Sequence, residues 1–258
     1  MENFLPDYFR AWHLVVVFFA GLIGEGYGTM VGGGGVVIQF VLATLGMPLA
    51  SVVATDLAGS MGASIGVITA TPKKVWSNKK LLFVLGLPLF IGGIIGTAFL
   101  IKIPVELLKY VIIAGLTLLL LYVLFSKPSL LRSLETLQIS KKQHPLIFFT
   151  QILQGIYGNV SGVGSGTFER ISFIALLRIS VADSIGVINI IGLPTVIFSF
   201  VATAIAGFIV WPYLITLWVG TFIGGRYAAK YIRIIPDKYL RALLVVLAII
   251  YIVYLLRR

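Results

Sequence analysis

Glu25, Asp56, Glu169 and Arg170 stand inside runs of apolar and small residues, where a charged side chain has no water of its own. A charge at the centre of a bilayer costs at least about 2.5 kcal/mol, so a residue of this kind faces a cavity or a partner. Two kinds of chemistry follow. A carboxyl held away from bulk water can take up and release a proton during a transport cycle, which makes Glu25, Asp56 and Glu169 candidate proton-coupling groups. Arg170 carries a forked guanidinium suited to an oxyanion; the other reading is that it pairs with a buried acid and stabilises the chain locally. Glu169 and Arg170 are neighbours in sequence, so on a helix they diverge by about 100° and need not pair with each other.

The backbone near these charges is equally unusual. In GTMVGGGGVVIQF, Gly28 to Phe40, four consecutive glycines (Gly32, Gly33, Gly34, Gly35) interrupt an apolar run. Each costs a helix roughly 1 kcal/mol relative to alanine, so the four together are expected to unwind it. A second interruption, NVSGVGSGTFER from Asn159 to Arg170, lies 132 residues further on. Irregular backbone at membrane depth is tolerated only where it is buried in protein or lines a wet cavity, and breaks at corresponding places in two halves point to a transporter's binding site. Two opposed half-helices would aim their N–H groups and positive dipole ends at one point, which attracts an anion. Glycine lets the backbone approach that anion without a Cβ in the way. The predicted substrate-binding set is Gly32, Gly33, Gly34, Gly35, Gln39, Thr55, Asn159, Ser161, Gly162, Gly164, Ser165, Gly166, Arg170 and Asn189, with Thr29 and Thr167 close by. Hydroxyls and amides in membrane helices also have a plainer use, bonding a neighbouring carbonyl or bridging helices.

Several chemistries are excluded. Neither GGGG nor GVGSG follows a strand in a βαβ setting, so neither is a dinucleotide or phosphate loop. No Ser/His/Asp arrangement or paired metal-ligand cluster is visible, there is no cysteine, and His13 and His144 are solitary residues near predicted span ends, expected to be interfacial. The chain is therefore read as no enzyme, with no metal and no cofactor.

The elements that must position these residues are membrane spans. The 258 residues are 59% hydrophobic and 11% charged, with mean hydropathy +1.06, where a soluble domain carries about 25% charged residues. Apolar segments fill about 13–31, a short 36–45, then 50–71, 81–101 and 105–125; after a polar stretch they return at 146–160, a short 167–178, 182–207, 212–231 and 237–256. The expected fold is an all-α integral membrane protein, a polytopic bundle of two structural repeats, 1–125 and 146–258, joined by a cytoplasmic connection 126–145. The first twelve residues lack a signal peptide's basic stretch and cleavage site, so the first apolar segment is expected to belong to the mature fold. Trp12, Trp76, Trp211 and Trp218 mostly sit at span ends, as an aromatic belt requires.

Shifting the sequence by 132 places Gly26 on Gly158, Gly32 on Gly164, Gly34 on Gly166, and Ile103 and Pro104 on Ile235 and Pro236; a small gap brings Gly92 and Gly96 onto Gly220 and Gly224, spacings that fit close helix packing. Corresponding loops carry opposite charge bias. Thr71 to Lys80 holds four lysines where Gly207 to Pro212 has no charge, whereas the turn around Lys102 is nearly bare where its counterpart holds Arg226, Lys230 and Arg233. Basic short loops stay in the cytoplasm, so the halves are expected to be inverted, each with five short spans or with three full spans and a hairpin that turns back. Both termini then fall outside, although this leaves Arg257 and Arg258 external. A parallel eight-span arrangement is the rival. The net charge of +11 is read as this loop bias and not as nucleic-acid binding; the partners are a lipid bilayer and a small anionic substrate.

At this point the chain resembles the sulfite exporter TauE/SafE family. The resemblance rests on the glycine break (Gly28, Gly32 to Gly35), the apolar stretch after it, and LGMP (Leu45 to Pro48) followed by Ala50 to Asp56 in the place of that family's Ala-x-Gly-Thr-Ser pattern. A weaker copy stands in the second half. Here Thr55 and Asp56 replace the Thr-Ser, and the second copy reads Gly162, Gly164, Ser165, Gly166 with no glycine run. The resemblance covers essentially the whole chain and implies transport of sulfite or small organosulfur anions, as by an exporter, across the cytoplasmic membrane. A gated anion channel that uses the glycine breaks as a filter is the alternative.

Overall fold

The computed structural model describes residues 6–125, 139, 143–177, 179, 181–231 and 237–257. Most of the predicted connection 126–145, together with Arg233, Ile235 and Pro236, lies outside the described residues. The described chain is helical: α1 Trp12–Val31, α2 Gly34–Thr44, α3 Leu49–Ala70, α4 Lys73–Ser77, α5 Lys79–Lys102, α6 Val105–Phe125, α7 His144–Ser161, α8 Ser165–Ser172, which continues as a π-helical segment Phe173–Leu177, α9 Val181–Ile205, α10 Trp211–Tyr231 and α11 Asp237–Arg257. Trp12–Met30, Leu49–Ala70, Lys79–Lys102 and Asp183–Ile205 are long and apolar enough to cross a membrane; Gly34–Thr44 is a shorter apolar helix. The lysine-rich loop differs from expectation, because Pro72 starts the short helix α4 within it.

The distribution of side chains is that of a membrane bundle. Val15, Phe19 and Ile23 on α1, Phe83, Leu87, Ile91 and Ile95 on α5, and Ile197, Val201 and Ile205 on α9 are exposed at four-residue spacing, apolar stripes suited to lipid. Polar groups turn inward instead: Gln39, Thr55, Asp56, Thr97, Asn159, Glu169, Arg170, Ser199 and Thr221 are buried.

Contacts between helices fix their directions. Gly220 rests on the Phe18 carbonyl and Gly224 on that of Leu22, so α10 runs parallel to α1; Gly92 on the Ile152 carbonyl and Gly96 on that of Ile156 set α5 parallel to α7. A Cβ at any of these four glycines would collide with the facing carbonyl, which is why they are notches for close packing. Gly59 and Gly66 meet Leu217 and Phe222, so α3 also runs with α10. Gly86 meets Ile191 and Thr97 Oγ1 is 2.7 Å from Ser199 Oγ, so α9 runs with α5. Helices α3 and α9 are antiparallel: Thr71, just past the end of α3, packs on Gly186 near the start of α9, while Thr55 Oγ1 accepts from Val210 N, beyond the end of α9, at 3.4 Å.

The two short helices turn back. Gly28 faces Gly34 and Gly24 faces Ile38, so α2 lies antiparallel on α1. Likewise Ser165 packs by Gly158, the Tyr157 and Phe168 rings stand edge to face at 5.5 Å, and Gln154 Nε2 donates to Ser172 Oγ at 3.4 Å, which folds α8 along α7. His13, at the start of α1, is buried, with Nδ1 2.5 Å from Tyr213 Oη, and this bond ties the start of α1 to the start of α10.

Candidate functional site

Where α1 stops, Gly32 N donates to Gly28 O at 2.7 Å, and Gly32 (φ 86°) and Gly33 (φ 98°) reverse the chain. Only these two glycines leave the helix. Gly34 and Gly35, expected to be unwound with them, form the first residues of α2. Two residues at positive φ suffice for the turn, and the next two glycines answer a different need: a Cβ on Gly34 would lie 2.6 Å from Gly24 O, and one on Gly35 would lie 2.8 Å from Asp56 Oδ2. In the second half Gly162 (φ 70°) and Gly164 (φ 72°) separate α7 from α8. Both α2 and α8 start at a left-handed glycine, Gly33 and Gly164, and neither start has a side-chain cap. The first N–H groups of a helix have no partner within it, so each start presents bare donors.

The two turns touch. Gly32 abuts Thr167 of α8, and Gly162 abuts Gln39 of α2 and the Asp56 carboxyl. Each is tied from the other side. Arg170 on α8 donates from Nη1 to Met30 O at 2.6 Å and from Nη2 to Thr29 O at 2.8 Å, satisfying the last carbonyls of α1, where positive charge is favoured by the helix dipole. Gln39 on α2 donates from Nε2 to Ser161 O, in the last turn of α7, and to Asp56 Oδ2, both at 2.8 Å.

Between these elements lies a cavity of about 190 Å³. Of the predicted substrate-binding residues, Gly32, Gly33, Gly34, Gly35, Asn159, Gly162, Gly164, Ser165, Gly166, Arg170 and Asn189 line it, as do Glu25, Asp56 and Glu169. Gln39, Thr55 and Ser161 are not among its lining. Their side chains are committed behind the wall: Gln39 as above, Thr55 to Val210 N, and Ser161 Oγ to Val163 N at 3.2 Å. Among the lining groups Asn159 is tethered, its Nδ2 donating to Gly155 O at 2.8 Å and its Oδ1 accepting from Ser199 Oγ at 2.5 Å. Asn189 Nδ2 donates to Ile185 O at 2.9 Å. Glu25 accepts from Thr29 Oγ1 at 3.3 Å, whereas Glu169 Oε1 is buried with no hydrogen-bond partner among the described residues.

Sequence reasoning missed Ser60, Ser64, Gln154 and Thr195, which also line the cavity. A signal for two of them was present. Ser60 and Ser64 follow Asp56 at intervals of four, which puts all three on one helical face. Across the cavity α9 supplies Ile188, Gly192 and Val196, the residues 132 places after Asp56, Ser60 and Ser64, so residues at that spacing face one space with different chemistry.

Residues 15–255 match the profile of the family described as "Sulfite exporter TauE/SafE". The chain is 23% identical over 229 residues to "Probable membrane transporter protein YdhB" of Bacillus subtilis, covering 89% of this chain and 93% of that one. It is 21% identical over 235 residues to a "Probable membrane transporter protein" of Haemophilus influenzae, covering 91% of each. No solved structure matches it.

Proposed function

Since this chain belongs to the sulfite exporter TauE/SafE family, whose proteins are membrane transporters and not enzymes, we propose that it carries sulfite or a small organosulfur anion across the cytoplasmic membrane, bound between its two glycine turns. The observation that carries this reading is the convergence of two uncapped helix starts, at Gly33–Gly34 and Gly164–Ser165, and the Arg170 guanidinium on one cavity. Backbone donors at a helix start and a fixed guanidinium both favour an oxyanion.

Charge balance supports proton coupling. The lining holds three carboxyls, Glu25, Asp56 and Glu169, against one guanidinium. An anion beside three carboxylates in a poorly solvated space is repelled, and protonating a carboxyl removes that repulsion. Anion and proton therefore bind together, and the proton gradient drives the cycle.

The two halves form an inverted repeat. Supporting this, α1, α3 and α10 run one way and their counterparts by the 132-residue shift, α7, α9 and α5, run the other way. The turned-back α2 and α8 make hairpins with α1 and α7, and three long helices follow in each half: α3, α5 and α6, then α9, α10 and α11. The ends of α3 and α10 lie together, joined by Arg226 Nη1 donating to Thr69 Oγ1 at 2.8 Å, and Lys79, Lys80 and Lys230 sit at that end of the bundle, which is the cytoplasmic face by the loop-charge rule. Both termini then lie outside.

The test is reconstitution in liposomes with labelled sulfite. A carrier shows uptake stimulated by unlabelled sulfite on the far side and driven by an imposed pH gradient. Flux without such stimulation identifies a channel, and absence of flux for sulfite and sulfonates removes the substrate assignment.

A further inference from the structure

Thr195 lies on α9 directly after the in-helix Pro194, is 4% exposed and lines the cavity. Its Oγ1 is buried with no hydrogen-bond partner among the described residues. Threonines in helices ordinarily bond the carbonyl one turn back, and in this protein Thr117, Thr150, Thr203 and Thr216 do so, to Ile113, Leu146, Ser199 and Pro212. Thr195 has the Ile191 carbonyl at the same spacing and makes no bond to it. The cause is on the neighbouring helix: the Thr195 Cγ2 methyl is seated on Gly93 of α5, in the space a Cβ there would occupy. A β-branched side chain has one free torsion, so docking the methyl in this notch also fixes the hydroxyl and withholds it from the backbone. A buried hydroxyl left without a partner is destabilising unless something else supplies one.

We propose that the Thr195 hydroxyl is a substrate contact, donating a hydrogen bond to an oxygen of the anion in the cavity and selecting oxyanions over anions without an oxygen acceptor. Gly93 is the positioning residue behind it. This assignment rests on the cavity being the oxyanion site, and it adds a contact from the wall that neither glycine turn supplies.

The test uses purified full-length protein, thermal stabilisation by sulfite and by methanesulfonate, and the KM for sulfite uptake in liposomes. Thr195→Val keeps the methyl and removes the hydroxyl; Thr195→Ser does the reverse. A hydrogen bond to a charged group corresponds to roughly tenfold or more in affinity, so Thr195→Val should raise the Kd and KM for sulfite by about that factor, while Thr195→Ser stays within about twofold of wild type. A packing role alone gives the opposite order, because serine empties the Gly93 notch and valine fills it. Unchanged binding in Thr195→Val, or a loss in Thr195→Ser as large as in Thr195→Val, overturns the proposal. If Thr195→Val does not fold, Thr195→Ala set against Thr195→Ser gives the same comparison. Wild-type protein that binds neither anion overturns the oxyanion reading of the cavity itself, which separates that failure from failure of the Thr195 contact.

Discussion

The guanidinium of Arg170 donates through Nη2 to the carbonyl oxygen of Thr29 at 2.8 Å, so a side chain from the second half closes the end of a helix from the first. Arg170 thus has a structural bond and a place in the cavity wall at once. Arg170→Gln should lower stability by about 2 kcal/mol, the range for losing hydrogen bonds from a charged donor, and should abolish sulfite uptake. Arg170→Lys should not restore uptake, because one ammonium cannot reproduce a planar fork that reaches two carbonyls. Melting temperature and liposome flux measure the two effects, and full transport by Arg170→Gln removes the ligand role.

Gln39 serves Asp56 and Ser161 together from one amide nitrogen. Gln39→Leu leaves a buried carboxyl oxygen and a buried carbonyl without this donor, and each such loss costs about 1–3 kcal/mol. We expect a clear drop in melting temperature and loss of gradient-driven uptake even though Gln39 is not part of the cavity lining. Normal stability in Gln39→Leu would mean that the two acceptors find other donors.

Glycines of the two turns should differ sharply under the same substitution. Gly32→Ala forces a side chain into φ 86° and onto Thr167; a residue held in such a region costs on the order of 1–3 kcal/mol before any clash is counted, and the variant should not yield folded protein. Gly166→Ala is helical and meets nothing within 4 Å. It should melt at or above the wild-type temperature, since alanine is the better helix former by about 1 kcal/mol. Its methyl takes room from the cavity, so stabilisation by bulky sulfonates should fall more than stabilisation by sulfite.

Proton uptake on binding has a definite sign. If an anion enters together with a proton on a cavity carboxyl, raising the pH weakens binding, by up to about tenfold per pH unit for each proton taken up. Glu25→Gln removes one of the carboxyls, so its sulfite affinity should vary less with pH and its uptake should respond less to a pH gradient, while exchange at equal pH persists. An unchanged pH profile in Glu25→Gln, Asp56→Asn and Glu169→Gln alike would exclude these groups as proton carriers.

Much of the architecture was legible because membrane burial writes itself into long apolar runs. Helix ends at Ala70, Lys102 and Ile205 fall within a few residues of the composition boundaries, and Gly92, Gly96, Gly220 and Gly224 were legible as notches because only a missing side chain allows backbones so close. The extent of the first turn was not legible, since a run of four glycines does not say which take positive φ; that depends on Gly24 and Asp56 crowding Gly34 and Gly35 from other turns. Nor could composition distinguish a polar residue facing the cavity from one just behind it. Thr55 and Asp56 are adjacent, yet Asp56 lines the space and Thr55 turns to Val210. Thr195 was passed over because its significance lies in a bond it does not make, which only its neighbour Gly93 explains.

The pairing of α1 with α10, and of α5 with α7, has a consequence for biogenesis. When α1 leaves the ribosome, the glycine-notched surface that will cover it at Phe18 and Leu22 belongs to a helix that begins only at Trp211. The first half therefore waits in the lipid with its best contact unmade until the last quarter of the chain arrives, and neither half is a self-sufficient body. On the proposed inverted repeat, an ancestral gene encoding one half would have needed two copies to embrace each other, each lending its third long helix to its twin.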